Sequence, residues 1–157
     1  TMKLNLIAVG KRMPKWVDLA LTEYIKRLPK NINFNLNEIA PEKRSRNRSL
    51  QELKKNEDEK INTLSSSTNI VIALDEKGEL ISSHRLAGEL QIWIDQQLDV
   101  GILIGGADGL SDSIKNRASK IWSLSKMTLP HALARVIFIE QLYRASTILN
   151  KHPYHRE

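Results

Sequence analysis

Apolar and polar positions alternate through "KLNLIAV" and then close into an apolar run that stops at Gly10, where a basic turn, "GKRMPK", begins. Period two predicts a strand. From Trp16 to Leu28 the period changes: Trp16, Val17, Ala20, Leu21, Tyr24, Ile25 and Leu28 fall on one helical face, and Pro29 ends the run. "INFNLNEI" alternates again as a half-buried strand. After the loop "APEKRSRNRS" a helix opens on a capping box, Ser49 with Glu52, and carries a thin stripe of Leu50, Leu53, Ile61 and Leu64. "NIVIALD" reads as a continuous apolar strand buried on both faces, followed by a turn at "EKGE". Ser83 is the expected cap of a helix bearing Leu86, Leu90, Trp93, Ile94 and Leu98. "VGILIGG" is a further buried strand, "SDSIKNRAS" a short helix, "KIWSLS" a last strand, and His131 to Asn150 one long helix. Strands alternating with helices predict an α/β domain with a mostly parallel sheet flanked by helices.

The long helix departs from the amphipathic pattern. Leu133, Val136, Ile137, Phe138, Ile139, Leu142, Tyr143 and Ile148 surround nearly its whole circumference. Either it is a deeply buried core helix, or a second copy of the chain covers its outer side in a homodimer.

A length of 157 residues fits one domain with a real core, and nothing divides the chain by repeat, linker or low-complexity segment. Thr1 precedes Met2 and reads as an expression scar, so the domain is expected over residues 2–157. The absence of cysteine removes disulfides, thiolate metal sites and cysteine nucleophiles. No apolar run approaches the roughly 20 residues that span a bilayer, and no signal peptide is visible, so the expectation is a cytoplasmic protein. The net charge of +6 favours a polyanionic partner.

Four segments carry candidate chemistry. In "LIGGADGLSD", Gly105, Gly106 and Gly109 follow a buried strand and precede a helix; they serve a tight turn or let the backbone approach a ligand, although the spacing matches neither a dinucleotide fingerprint nor a phosphate loop. In "PEKRSRNRS", Lys43, Arg44, Arg46 and Arg48 form a solvated basic loop or an RNA contact. "WSLSKMTLPHALARV" is a buried connector or, through Leu124, Met127 and Leu129 with free main-chain groups, a pocket for an adenine ring. The tail "NKHPYHRE" sets His152, Tyr154, His155 and Arg156 around Pro153; its two histidines lack the carboxylate or cysteine neighbours of a metal site, so no metal is expected. Termini commonly fray, but proline and tyrosine favour a tail that folds onto something.

In this order, "LNLIAVG", "ALD", "LIGGADGL", "WSLSKMTLPHALARVIFIEQLYRA" and "NKHPYHRE" closely resemble the ribosomal RNA large subunit methyltransferase H family, along residues 2–157. That family lies in the SPOUT class of S-adenosylmethionine-dependent methyltransferases: α/β proteins with a deep C-terminal trefoil knot that act as homodimers. Its members methylate N3 of a pseudouridine in a 23S rRNA stem-loop near the decoding centre, on the assembled ribosome. The resemblance implies that Leu74, Gly105 and the stretch Leu124, Ser125, Lys126, Met127, Thr128 and Leu129 form the cofactor pocket. With a methyl donor there, the tail acquires roles: Tyr154 to stack on a flipped base, His155 to remove its N3 proton or orient it, and Arg156 with Arg144 to stabilise the imide anion or hold phosphate. A non-catalytic ribosome-binding factor and a methyltransferase of the same fold acting on transfer RNA are the alternatives.

Overall fold

The structure is a computed structural model that describes every residue except Arg12, Arg44, Ser45, Arg46, Ala107 and Glu157. Five strands form one sheet: β1 (Met2–Val9), β2 (Ile32–Ile39), β3 (Ile70–Leu80), β4 (Asp99–Ile104) and β5 (Lys120–Ser123). Their order is β2-β1-β4-β3-β5, and every pairing is parallel. The helices are α1 (Lys15–Arg27), α2 (Leu50–Ser65), α3 (Ser83–Asp95), α4 (Asp112–Arg117) and α5 (His131–Leu149). None of the described helices is long and apolar enough to cross a membrane.

Alternation along β1 decides the layers. Leu4, Leu6 and Ala8 point into a core shared with α1, α3 and α5, whereas Ile7 and Val9 join a smaller core beneath α2 and α4. Trp93 of α3 stacks on Trp122 of β5 in the larger core, at 6.1 Å between ring centroids. Both faces of the sheet are therefore covered, as parallel sheets require.

The sequence places most elements correctly, with three corrections. The cap of α3 is Ser82, whose Oγ accepts from Arg85 N–H at 3.1 Å; Ser83 begins the helix and bonds Gln141 of α5 instead. "EKGE" is not a free turn but the continuation of β3, which shifts register between Leu74 and Glu79 and rejoins β5 at Trp122 and Ser123. Gly78 permits this, because a Cβ there would lie 2.7 Å from the Ile121 carbonyl. The turn composition is real, but pairing with a distant strand overrides it. Thirdly, α3 stops at Asp95, before Leu98, where Gln97 adopts a positive φ of 51°.

Candidate functional site

Parallel strands place all their C-terminal ends on one edge of the sheet, and the main cavity opens there, outside the ends of β3, β4 and β5. Its volume is about 1280 Å³. Leu74 closes it from β3, Ile104 and Gly105 from β4, and Leu124, Ser125, Met127, Thr128 and Leu129 from the connector between β5 and α5. His131 and Ala134 of α5 add a wall, and Lys54, Lys55 and Asp58 of α2 stand at the far side. Of the eight residues that the resemblance assigns to a cofactor pocket, seven line this cavity; Lys126 is exposed and outside the lining.

The connector lies in neither helix nor strand and is held by local bonds. Ser123 Oγ donates to the Ser125 carbonyl at 2.8 Å, Met127 N–H donates to Ser125 Oγ at 2.9 Å, and Thr128 Oγ1 donates to Glu76 at 2.9 Å. Met127 is 77% exposed, a cost in water that a bound ring would remove.

The glycines form a tight turn, and all three line the cavity. Gly105 is buried, and a Cβ on it would meet the Gly109 carbonyl carbon at 2.4 Å and Leu110 N at 2.6 Å. Its missing side chain thus lets the loop fold back against the strand end. Gly109 supplies the positive φ, 72°, that turns the chain, and bridges Gly106.

The tail folds onto α5 rather than into the cavity. His152 N–H donates to the Thr147 carbonyl at 2.9 Å, and Tyr154 packs edge-on against Tyr143 with 4.6 Å between centroids. Arg144 lies over the Tyr154 ring at 4.9 Å. Glu140 joins them: its Oε2 accepts from Tyr154 Oη at 2.9 Å and from Arg144 at 3.0 and 3.2 Å, while Gln141 bonds its Oε1 at 2.6 Å. Burial, then hydrogen bonding with Tyr24 and Glu140, pushes the Tyr154 phenol well above its usual pKa, so it stays protonated. His155 is half-buried with Nδ1 enclosed and unpartnered among the described residues, and Arg156 is exposed. The structure thus brings Arg144 and Tyr154 together, but neither they nor His155 nor Arg156 line the cavity of their own chain. Ala134, the last α5 residue in that lining, is about 15 Å along the helix axis from Arg144.

Arg48 donates to Glu42 at 2.7 Å, Lys60 also pairs with Glu42 at 3.0 Å, and Lys43 is exposed; Arg44 and Arg46 lie outside the described residues. No group of three or more potential metal ligands occurs among the described residues.

Sequence reasoning missed two residues here. Glu140 gave no signal, because a lone carboxylate on an apolar helix looks like a solubilising charge. Arg135 was equally silent: it is completely buried and bonds Glu38 at 2.7 Å and the Gly10 carbonyl at 2.8 Å.

A parallel sheet with a cleft at its carboxyl edge, walled by an irregular connector, defines a class rather than a chemistry. The solved structure of TrmJ from Z. mobilis ZM4 shares the fold, with a TM-score of 0.59 at 16% identity over 91% of this chain and 70% of that one. Residues 2–155 match the family model described as "Predicted SPOUT methyltransferase". Two relatives named ribosomal RNA large subunit methyltransferase H are similar over their whole length: one from Methylobacillus flagellatus, 44% identical over 99% of this chain, and one from Methylococcus capsulatus, 46% identical over 99%. The chain belongs to the SPOUT methyltransferases and, among them, to the ribosomal RNA large subunit methyltransferase H family.

Proposed function

We propose that this protein is an S-adenosylmethionine-dependent methyltransferase that modifies N3 of a pseudouridine in a 23S rRNA stem-loop near the decoding centre, on the assembled ribosome. It acts as a homodimer with the knotted C-terminal half of its class. Ribosomal RNA as substrate is supported by the names of the relatives.

The cavity fits the cofactor. Apolar faces from Leu74, Leu124 and Leu129 suit an adenine ring, main-chain groups of residues 124–129 are available to its edge, and Asp75 and Glu76 place negative charge beside a cationic sulfonium. When bound, S-adenosylmethionine supplies an electrophilic methyl group that needs no metal. What remains for the protein is to present the nucleophile in line and take its proton. His155 is assigned to receive or orient the N3 proton, Arg156 and Arg144 to stabilise the imide oxygens, and Tyr154, held protonated, to face the base. Lys43, Arg44, Arg46 and Arg48 are assigned to RNA phosphates.

The single observation that carries this arrangement is that the tail docks on α5 away from its own chain's cavity. A complete site is then assembled between two chains: one provides the cavity, the other the tail. The experiment is incubation with labelled S-adenosylmethionine and, separately, assembled ribosomes, free subunits and transfer RNA, with the modified nucleotide mapped by mass spectrometry. Label at one 23S rRNA pseudouridine is expected; label in transfer RNA alone overturns the reading. Mixing a His155→Ala chain with a Gly105→Ala chain should restore activity that neither has alone, since half-sites from different chains then combine.

A further inference from the structure

The basic turn after β1 has no task in the reading above, yet its start is fixed from inside the protein. Gly10 N–H donates to the Ile39 carbonyl at 2.7 Å, which carries the β1–β2 pairing one residue past the strand, and Gly10 adopts a φ of 140°. A Cβ there would stand 3.1 Å from His131 Nε2 and 3.3 Å from Arg135 Nη2. Arg135 is 0% exposed; its Nη2 donates to the Gly10 carbonyl at 2.8 Å and its Nη1 to Glu38 Oε2 at 2.7 Å. A guanidinium out of water is tolerated only with such partners. One fork thus clamps the ends of β1 and β2, and the same turn of α5 sets His131 and Ala134 in the cavity wall. The clamp therefore fixes Gly10 relative to the cavity.

Past the clamp, Lys11 and Lys15 are exposed and have no carboxylate partner among the described residues. Many other surface cations do: Lys26 and Arg27 on Glu23, Arg48 and Lys60 on Glu42, Arg85 and Lys120 on Glu89. Because all strands are parallel, this turn shares the cavity's edge of the sheet. Free ammonium groups suit closely spaced phosphates, which a lysine meets as a point charge without reading bases.

We propose that Lys11 and Lys15 form an RNA-backbone contact, meeting phosphates that flank the nucleotide presented to the cavity, and that Arg135 is the positioning residue that holds the chain at Gly10, where this stretch leaves the sheet. This rests on the rRNA reading above. The test uses the full-length protein and its Lys11→Ala/Lys15→Ala variant, measuring ribosome binding across salt concentration and S-adenosylmethionine affinity by calorimetry. Loss of two phosphate contacts should make the slope of log K against log salt shallower by about two, with cofactor affinity at the wild-type value. Arg135→Lys keeps the charge but loses the fork; it should raise KM for ribosomes more than it lowers kcat, and the lysine changes should add little in that background. An unaltered salt slope in a lysine variant that still methylates ribosomes removes this proposal alone. A wild-type protein that neither binds nor methylates rRNA removes the underlying reading and this proposal with it.

Discussion

His131 sits where α5 meets the cavity, with Nε2 enclosed and Arg135 one turn further on. Burial first, and the Arg135 charge second, hold its pKa below the ordinary value. The folded state therefore binds this proton less readily than the unfolded chain. The sign follows: stability is complete above the unfolded pKa of about 6.5 and declines as pH falls through it toward the folded value. Denaturant unfolding of His131→Gln should show a flatter acid limb below about pH 6.5 than the wild type. Glu140 supports a second prediction. Replacing it with alanine leaves Arg144 and the Tyr154 hydroxyl without their shared acceptor, for a loss of about 1–3 kcal/mol. If Glu140 positions the tail, single-turnover methylation falls while S-adenosylmethionine affinity does not; calorimetry beside a rapid-quench assay separates the two.

Among the elements, α2 was legible in its cap and half its stripe: Ser49 accepts from Glu52 N–H at 3.1 Å, and Leu53 and Ile61 are buried, but Leu50 and Leu64, expected on the same stripe, are exposed because they lie at the two ends of the helix. Ser49→Ala should cost about 1 kcal/mol in thermal or denaturant unfolding. The strand β3 was legible only to Leu74, since the pairing that extends it comes from β5, some forty residues away. The glycine loop was legible as a turn but not in its mechanism. Gly105→Ala forces a Cβ into the backbone of Gly109 and Leu110, where no flexible side chain can yield. Overpacking of this kind costs typically 1–3 kcal/mol, so a lower melting temperature is expected together with weaker S-adenosylmethionine binding, both readable by thermal shift with and without cofactor.

For the whole molecule, the apolar circumference of α5 divides between two kinds of cover. Phe138, Ile139, Leu142 and Ala145 are buried against α1, α3 and the sheet, whereas Leu133 is still exposed, as are Trp16 and Leu19 on α1. Leu19 is 72% exposed, an apolar side chain with nothing over it in one chain. With the proposed homodimer, Leu19→Glu should shift sedimentation from dimer to monomer with circular dichroism unchanged, and activity should fall with it; a wild-type protein that sediments as a monomer removes the two-chain site.

By itself, the sequence determined the alternation of strands and helices, the cap at Ser49, and the breaks at proline and glycine. These are local matters: periodicity, capping and turn geometry depend on residues a few positions apart. Tertiary structure alone decided the strand order, the extension of β3, the clamp of Arg135 on Gly10 and Glu38, and the docking of "NKHPYHRE" on Glu140 and Tyr143. Arg135 and Gly10 are 125 positions apart. Their partnership leaves no periodic trace, because a buried cation is recognisable only once the groups that solvate it are known.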